Sequence, residues 1–357
     1  MQGPARDFES ALGVDLSATN ITVLVGKSDG TIDAQRKEKT DKSDPEAPGR
    51  QIIRLARECM EKAGVRPDGL DGIGVSCVGP YDKERGGILR TPNIDFDFVP
   101  VRDPLKEAFK LRYVRGGDCF GACHAEADFG RGKDNDNVFY LTKSTGIGGG
   151  AIIDGRALFG RDGDAGHIGH FTIDPSPKAR ECGCRGPDGK RRRGHWEAYG
   201  SGTAVASILQ ESVMSKAVNL PGTEPYQLDK RDINRIALAA SGRLGKRADK
   251  IQINDLAAED LYAAARKEGG YGNLHHLVDA INYLNTLGFA MVTDAYNPGI
   301  IVVGGSMMND EDLILPYVME HLPEHAILGP PEIAKTQLGP ISVALGGIAM
   351  LRHYQGE

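Results

Sequence analysis

An apolar run feeds directly into a turn of small and hydroxyl residues at three places: Asp15-Leu-Ser-Ala-Thr-Asn, Ser144-Thr-Gly-Ile-Gly-Gly-Gly and Val303-Gly-Gly-Ser. Glycine lets backbone N–H groups approach an anion closely, and Ser and Thr hydroxyls donate beside them. An aspartate at the end of the first run suits a hydrated Mg²⁺ held by one or two carboxylates. Taken singly, each segment reads first as a structural turn. Three in one chain point to nucleotide phosphates, with Asp15, Ser17, Thr19, Asn20, Thr145, Gly146, Gly148, Gly304 and Gly305 as candidate contacts. Neither G-x-x-x-x-G-K-[ST] nor G-x-G-x-x-G occurs, which argues against P-loop and dinucleotide-binding readings.

The rest of the pattern is alternating α/β. Ala11–Leu16 and Ile21–Val25 read as a hairpin, with a second turn at Ser28-Asp-Gly-Thr. Ile52, Ile53, Leu55, Ala56 and Met60 share one stripe of a helix over about 49–63. Ile73–Val78 is a short buried strand, Asp118–Gly130 a helix with an acidic start, Val138–Thr142 a strand and Ala151–Ile153 another. Leu277, Ile281, Leu284, Leu287 and Met291 mark a helix over 276–297, stopped by Asn297-Pro-Gly. Ile300–Val303 is the next buried strand. Strands alternating with helices predict α/β layers. Pro187–Arg193 and roughly 217–272 look inserted. Lys190-Arg-Arg-Arg within the first reads as a solvated loop, with phosphate steering as the alternative.

At 357 residues the chain predicts about two domains. A net charge of −6 gives a nucleic-acid partner no support. No apolar stretch approaches the about 20 residues a membrane span needs. Met1–Ser10 has no apolar core, so it does not read as a signal peptide. Six cysteines are too few for a disulfide scaffold, and reduced thiols in a cytoplasm are the expectation.

Thiol and imidazole groups cluster in the middle of the chain. His170 ends Asp164-Ala-Gly-His-Ile-Gly-His, Cys182-Gly-Cys184 follows, and Gly194-His195-Trp-Glu197 comes after a gap. His170, Cys182, Cys184 and His195 would make a closed tetrahedral zinc set. The alternative is two buried cysteines and unrelated histidines.

Asp15–Asn20, Ser144–Gly150, Gly166–His170, Cys182–Cys184, Gly194–Gly202 and Ile300–Gly305 occur in the order of the ROK family of sugar kinases and repressors, which the chain resembles over nearly its whole length. Gly194-His-Trp-Glu-Ala-Tyr resembles archaeal members in particular. The resemblance implies an actin/hexokinase-like (ribonuclease H-like) α/β fold: two domains around a central cleft, ATP on one side and sugar on the other. It divides the chain into a small domain of 1–118 plus about 340–357, and a large domain of 119–339 carrying the zinc loop and both insertions. It also implies a homodimer or homotetramer.

The resemblance makes Asp118 the general base and a sugar contact. Asn93, His167, His170 and Glu197 become sugar contacts, and His170, Cys182, Cys184 and His195 ligands of a structural Zn²⁺. ATP with Mg²⁺ is the implied co-substrate. Four positions depart from the pattern. Gly117 stands where relatives carry Asn, and Ser17 where they carry Gly. His195 replaces a third cysteine after about six extra residues. His167 replaces a glutamate that reads hydroxyls near the anomeric carbon. A neutral imidazole offers one donor and one acceptor where a carboxylate only accepts.

The first expectation is an ATP-dependent kinase acting on a glucose-like hexose. N-acetylhexosamines come next, and His167 leaves room for a cyclitol or ketose. A sugar-responsive repressor needs a helix-turn-helix before the first strand, and only ten residues precede Ala11. A kinase-like binding protein that has lost its chemistry would not need Asp118 and three phosphate turns.

Overall fold

The structure is a computed structural model and describes residues 5–91, 94–161, 163–214, 220–223, 227–268 and 272–356. In chain order the elements are β1 (Ala11–Leu16), β2 (Asn20–Gly26), β3 (Ile32–Lys39), α1 (Ala47–Ala63), β4 (Gly72–Cys77), β5 (Tyr81–Asp82), β6 (Gly87–Thr91), β7 (Ile94–Pro100), α2 (Arg102–Phe109), β8 (Arg112–Gly117) and α3 (Asp118–Phe129). Then come β9 (Val138–Lys143), β10 (Ile147–Ile153), β11 (Arg156–Ala157), β12 (Glu181–Arg185), β13 (Arg191–Arg193), α4 (Glu197–Gly200) and α5 (Gly202–Met214). The chain finishes with α6 (Lys230–Leu244), α7 (Ala258–Glu268), α8 (Asn273–Tyr296), β14 (Ile300–Gly304), α9 (Glu311–His321), β15 (Glu332–Lys335) and α10 (Ser342–His353).

Two compact units result. The first takes 1–140, 149–166 and 336–357, and the second takes 141–148 and 167–335. This differs from the division expected from sequence, which gave residues 119–140 and 149–166 to the large domain. The reason lies in α3 and α10, which approach backbone to backbone: a Cβ on Gly346 would lie 2.2 Å from the Gly121 carbonyl. Such a contact keeps α3 with the unit that holds α10.

In the first unit β1, β2 and β3 are antiparallel, and β4 and β8 extend the sheet in parallel, giving the order β3-β2-β1-β4-β8. That is the ribonuclease H-like order. Leu16, Val23 and Val75 pack on one face against Ile52, Leu55 and Met60 of α1. Ala11, Leu24 and Val114 pack on the other with Ala344, Ile348 and Met350 of α10. The three-stranded sheet β5-β6-β7 lies in the same unit.

The second five-stranded sheet repeats the order as β11-β10-β9-β14-β15. Here β10 begins at Ile147, so Gly148–Gly150 are strand rather than the loop expected from sequence. The interior of β10 therefore takes glycines into a ladder, and only Ser144–Gly146 remain as the turn. The basic run is the second strand of the β12–β13 hairpin, where Arg191 and Arg193 pair with Glu181, and Arg192 pairs with Asp188. Two carboxylates offset only part of its charge, and the run is largely exposed, but it is a strand rather than the loop expected from sequence. Among the described residues no helix is long and apolar enough to cross a membrane.

Candidate active site

In the first unit, β1 ends on Asp15 and Leu16, and a three-residue turn leads into β2. Ser17 organises that turn. Its hydroxyl donates to the Asn20 carbonyl at 2.9 Å and accepts from the Asn20 N–H at 3.1 Å and the Thr19 N–H at 3.4 Å. The Thr40 hydroxyl donates to the Ser17 carbonyl at 2.8 Å. The hydroxyl expected to face a phosphate thus spends its bonds closing the hairpin. Among the turn's side chains, that of Thr19 is exposed.

Asp118 is the first residue of α3, delivered there by β8, and its carboxylate accepts from the Cys119 N–H at 2.7 Å. A carboxylate is stabilised at a helix N-terminus by the unsatisfied N–H groups and the dipole. Asp15 is close enough to feel that charge. Burial, and then the Asp118 carboxylate, push Asp15 up to about 7, and Lys37 opposes them. A buried carboxyl whose titration is raised by desolvation and by a second carboxylate nearby is the electrostatic mark of a functional site.

In the second unit, Ser144, Thr145 and Gly146 sit under the start of α5. The Gly202 N–H donates to the Ser144 carbonyl at 2.7 Å, and the Thr203 hydroxyl donates to the Thr145 carbonyl at 2.9 Å. A cleft of about 400 Å³ opens there, lined also by Ala206, Ala257, Ala258, Glu259, Met307 and Asp310. Residues 257–259 belong to the stretch read as an insertion, so α7 walls the site. Residues 215–219, 224–226 and 269–271 of that region lie outside the described residues. Gly304 closes β14. Gly305, at φ 96°, passes so close that a Cβ would lie 2.2 Å from the Lys143 carbonyl oxygen.

Lys143 is a residue that sequence reading missed. It is fully buried at the end of β9, and no carboxylate among the described residues forms an ion pair with it. Its ammonium donates to the Gly200 carbonyl at 2.6 Å and to Asn285 Oδ1 at 2.8 Å, and lies 5.7 Å from the Trp196 ring centroid. Burial lowers it to about 7. A cation at the C-terminal carbonyl of α4 is favoured by the helix dipole, and it clamps the α4–α5 junction beneath Ser144.

His170, Cys182, Cys184 and His195 come together as expected. One donor atom from each falls in a group whose members all lie within 4.8 Å of one another. Cys182 Sγ is 3.7 Å from His170 Nδ1, and Cys184 Sγ is 3.3 Å from His195 Nδ1. Burial pushes the Cys182 thiol up to about 12 and lowers both imidazoles. A cation reverses that preference for the thiol by binding thiolate. Two thiols and two imidazoles are a set that one tetrahedral ion with bonds of about 2.0–2.3 Å can draw together.

Glu197 links this cluster to the phosphate turn. Its Oε2 accepts from the Ile147 N–H at 2.9 Å, and its Oε1 is 3.8 Å from Cys182 Sγ. Buried Trp196, packed on Phe289 of α8, fixes the two residues on either side of it. His167 is exposed and stacks on His170 with ring centroids 5.9 Å apart. Asn93 lies outside the described residues.

The model of the ROK family matches residues 11–353. A glucokinase of Pyrobaculum calidifontis is 29% identical over 341 residues, covering 95% of this chain and 94% of that one. A glucokinase of Aeropyrum pernix is 28% identical over 319 residues, covering 88% of each. The ROK hexokinase structure from Thermus thermophilus superposes with a TM-score of 0.69 at 25% identity, over 96% of this chain and 97% of its own. With a family match that spans nearly every element described above, the chain belongs to the ROK family and has its actin-like two-unit α/β fold.

Proposed function

We propose that the acceptor is a glucose-like hexose, that Asp118 is the general base, and that the four-residue cluster holds a structural zinc ion. The chain is an ATP-dependent carbohydrate kinase, in keeping with its family and with the glucokinases it resembles. The observation that carries the reading is the carboxylate pair, with Asp118 at the head of α3 beside a desolvated Asp15. In the proposed reaction Asp118 takes the proton of a primary hydroxyl as its oxygen attacks the γ-phosphorus. The bond from that phosphorus to the β-bridging oxygen breaks, and ADP leaves. Mg²⁺, when bound, neutralises charge on the phosphates. Asp15 is the carboxylate suited to hold it, and the Ser144–Gly146 turn supplies donors for the phosphates. The zinc donor set is closed, so it holds the His170 and His195–Glu197 segments in place and leaves no position for an activated water.

An ADP-release assay with MgATP across hexoses, amino sugars and cyclitols tests the reaction. Turnover with glucose or a near relative is expected, and ATP turnover with no acceptor in the panel would overturn it. His167 is the specificity residue of this reading. His167→Glu is expected to raise kcat/KM for glucose relative to the preferred acceptor by ten- to over a hundredfold, the equivalent of about 1.5–3 kcal/mol for a hydrogen bond to a charged group. An unchanged order of preference in His167→Glu and His167→Ala would remove that role. N-acetylhexosamines and cyclitols are the alternative acceptors that the same imidazole permits.

The clamp on the phosphate turn has its own consequence. Lys143→Met leaves the Gly200 carbonyl without this donor, while Asn285 Oδ1 keeps the Trp196 indole N–H, a loss of about 1–3 kcal/mol in stability. The KM for ATP is expected to rise more than the KM for sugar. Equal changes in both would show that the clamp does not serve the nucleotide.

A further inference from the structure

The strand that delivers Asp118 also carries a cation that the reaction does not use. Arg115 lies on β8, three residues before Asp118. Its guanidinium is stacked on Tyr81, with Cζ 4.0 Å from the ring centroid. The side chain is half-buried, and its Nε is buried without a hydrogen-bond partner. Neighbouring arginines of the same unit are held differently. Arg54 pairs with Glu38 and Glu58, Arg112 with Asp71, and Arg352 with Asp128. No carboxylate among the described residues makes such a pair with Arg115.

Its surroundings are those of the proposed base. The buried Cys77 thiol at the end of β4 is pushed up to about 11 by burial; Arg115 opposes this, while Asp118, Asp164 and Asp15 add to it. The strand register points the same way: Arg115 stands opposite Val75 on β4, Asp15 of β1 stands opposite the next residue Ser76, and Asp118 follows the end of β8, so one guanidinium lies near the strand ends that carry the two carboxylates. Taking a guanidinium partly out of water without a partner is costly. An anion approaching Asp118 would be repelled by those carboxylates and needs a cation at short range. Arg suits that task, because its planar fork matches a carboxylate or phosphate with two parallel bonds, and stacking on an aromatic ring fixes its plane. Gly117, at the end of the same strand, brings no side chain beside Asp118, and a Cβ there would meet nothing within 4 Å.

We infer that Arg115 receives an oxyanion on the sugar, so the preferred acceptor is a hexose derivative bearing a carboxylate or phosphate and a free primary hydroxyl. This rests on the kinase reading above and narrows its substrate class. The anionic group takes no part in bond making. It orients the acceptor, so it contributes to kcat/KM by fixing the hydroxyl near Asp118.

The test compares glucose, gluconate and glucose 1-phosphate as acceptors in the ADP-release assay, using the wild-type chain, Arg115→Met and Arg115→Lys. All three acceptors keep the primary hydroxyl, and the two acids separate carboxylate from phosphate. In the wild type, at least one acid should exceed glucose in kcat/KM. In Arg115→Met the ratio of kcat/KM for that acid to kcat/KM for glucose should fall ten- to over a hundredfold. Arg115→Lys should restore part of it, since it keeps the charge without the fork. An unchanged ratio in both variants overturns the inference, as does a wild type that prefers glucose to both acids. If Arg115→Met does not fold, the ratio in Arg115→Lys decides alone. Wild-type turnover with none of the three, nor with any other sugar, is failure of the kinase reading instead. Calorimetric binding of gluconate and glucose 1-phosphate to wild type and Arg115→Lys would then still read the oxyanion site.

Discussion

Asp118→Asn is expected to fold as the wild type does and to lose about 10²–10⁴-fold in kcat, the range for a positioned general base. The amide keeps the shape of the side chain, and its oxygen can still accept from the Cys119 N–H at the head of α3. It cannot accept a proton from the substrate. Because the interaction is made with the reacting hydroxyl as it loses its proton, kcat and kcat/KM should fall together. The same variant reports on Asp15, which loses a neighbouring negative charge and should titrate below about 7. A variant that keeps more than about a tenth of the wild-type kcat would place the base elsewhere.

Removal of the proposed zinc ion is expected to have the second largest effect. Protein purified without added zinc should carry about one equivalent per chain. Cys182→Ser or a strong chelator should abolish it. A ligand bound only to the folded state, at about 1,000 times its Kd, contributes about 4 kcal/mol. For a chain of 357 residues, at about 2.1 cal/mol/K of unfolding entropy per residue, that corresponds to roughly 5 °C in Tm. The loss should not stay at the cluster. Glu197 ties Cys182 to the Ile147 N–H, so the phosphate turn loses a support when the His195–Glu197 segment loosens. ATP binding measured without sugar should weaken in the metal-free protein. A chain that purifies without zinc, and whose Tm ignores both chelator and Cys182→Ser, would reduce the cluster to two cysteines and two histidines with no shared ion.

Much of the architecture was legible because it depends on local rules. The β1–β2 hairpin follows from two apolar runs around Ser17–Thr19, and α8 follows from its stripe and the Asn297-Pro-Gly stop. The metal candidates were legible because thiol and imidazole have few other reasons to cluster, even across the gap from Cys184 to His195. The stretch at 217–272, read as an insertion, gave no sign in sequence of the part it plays at the cleft. Its polar, charged surface hides the short Ala257-Ala258 wall that the cleft uses. Lys143 was overlooked because a lysine next to a glycine turn reads as solvent-facing, and nothing nearby in sequence announces the carbonyl and amide that receive it.

Residue chemistry and periodicity alone determined the α/β alternation, the three turn positions and the helix that starts at Asp118, because each is set within a few residues of chain, and they marked out the four candidate metal donors. Tertiary structure alone decided what those groups do with their bonds. Lys143 meets Asn285 across 142 positions, and Glu197 meets Ile147 across 50. Gly148 joins a strand only because β10 has a neighbour to pair with. Ser17 turns inward because Asn20 and Thr40 present groups that a phosphate would otherwise have to supply. A hydrogen-bonding group is committed by whichever partner the fold brings to it, and in these cases that partner comes from packing or pairing that residue type alone does not reveal.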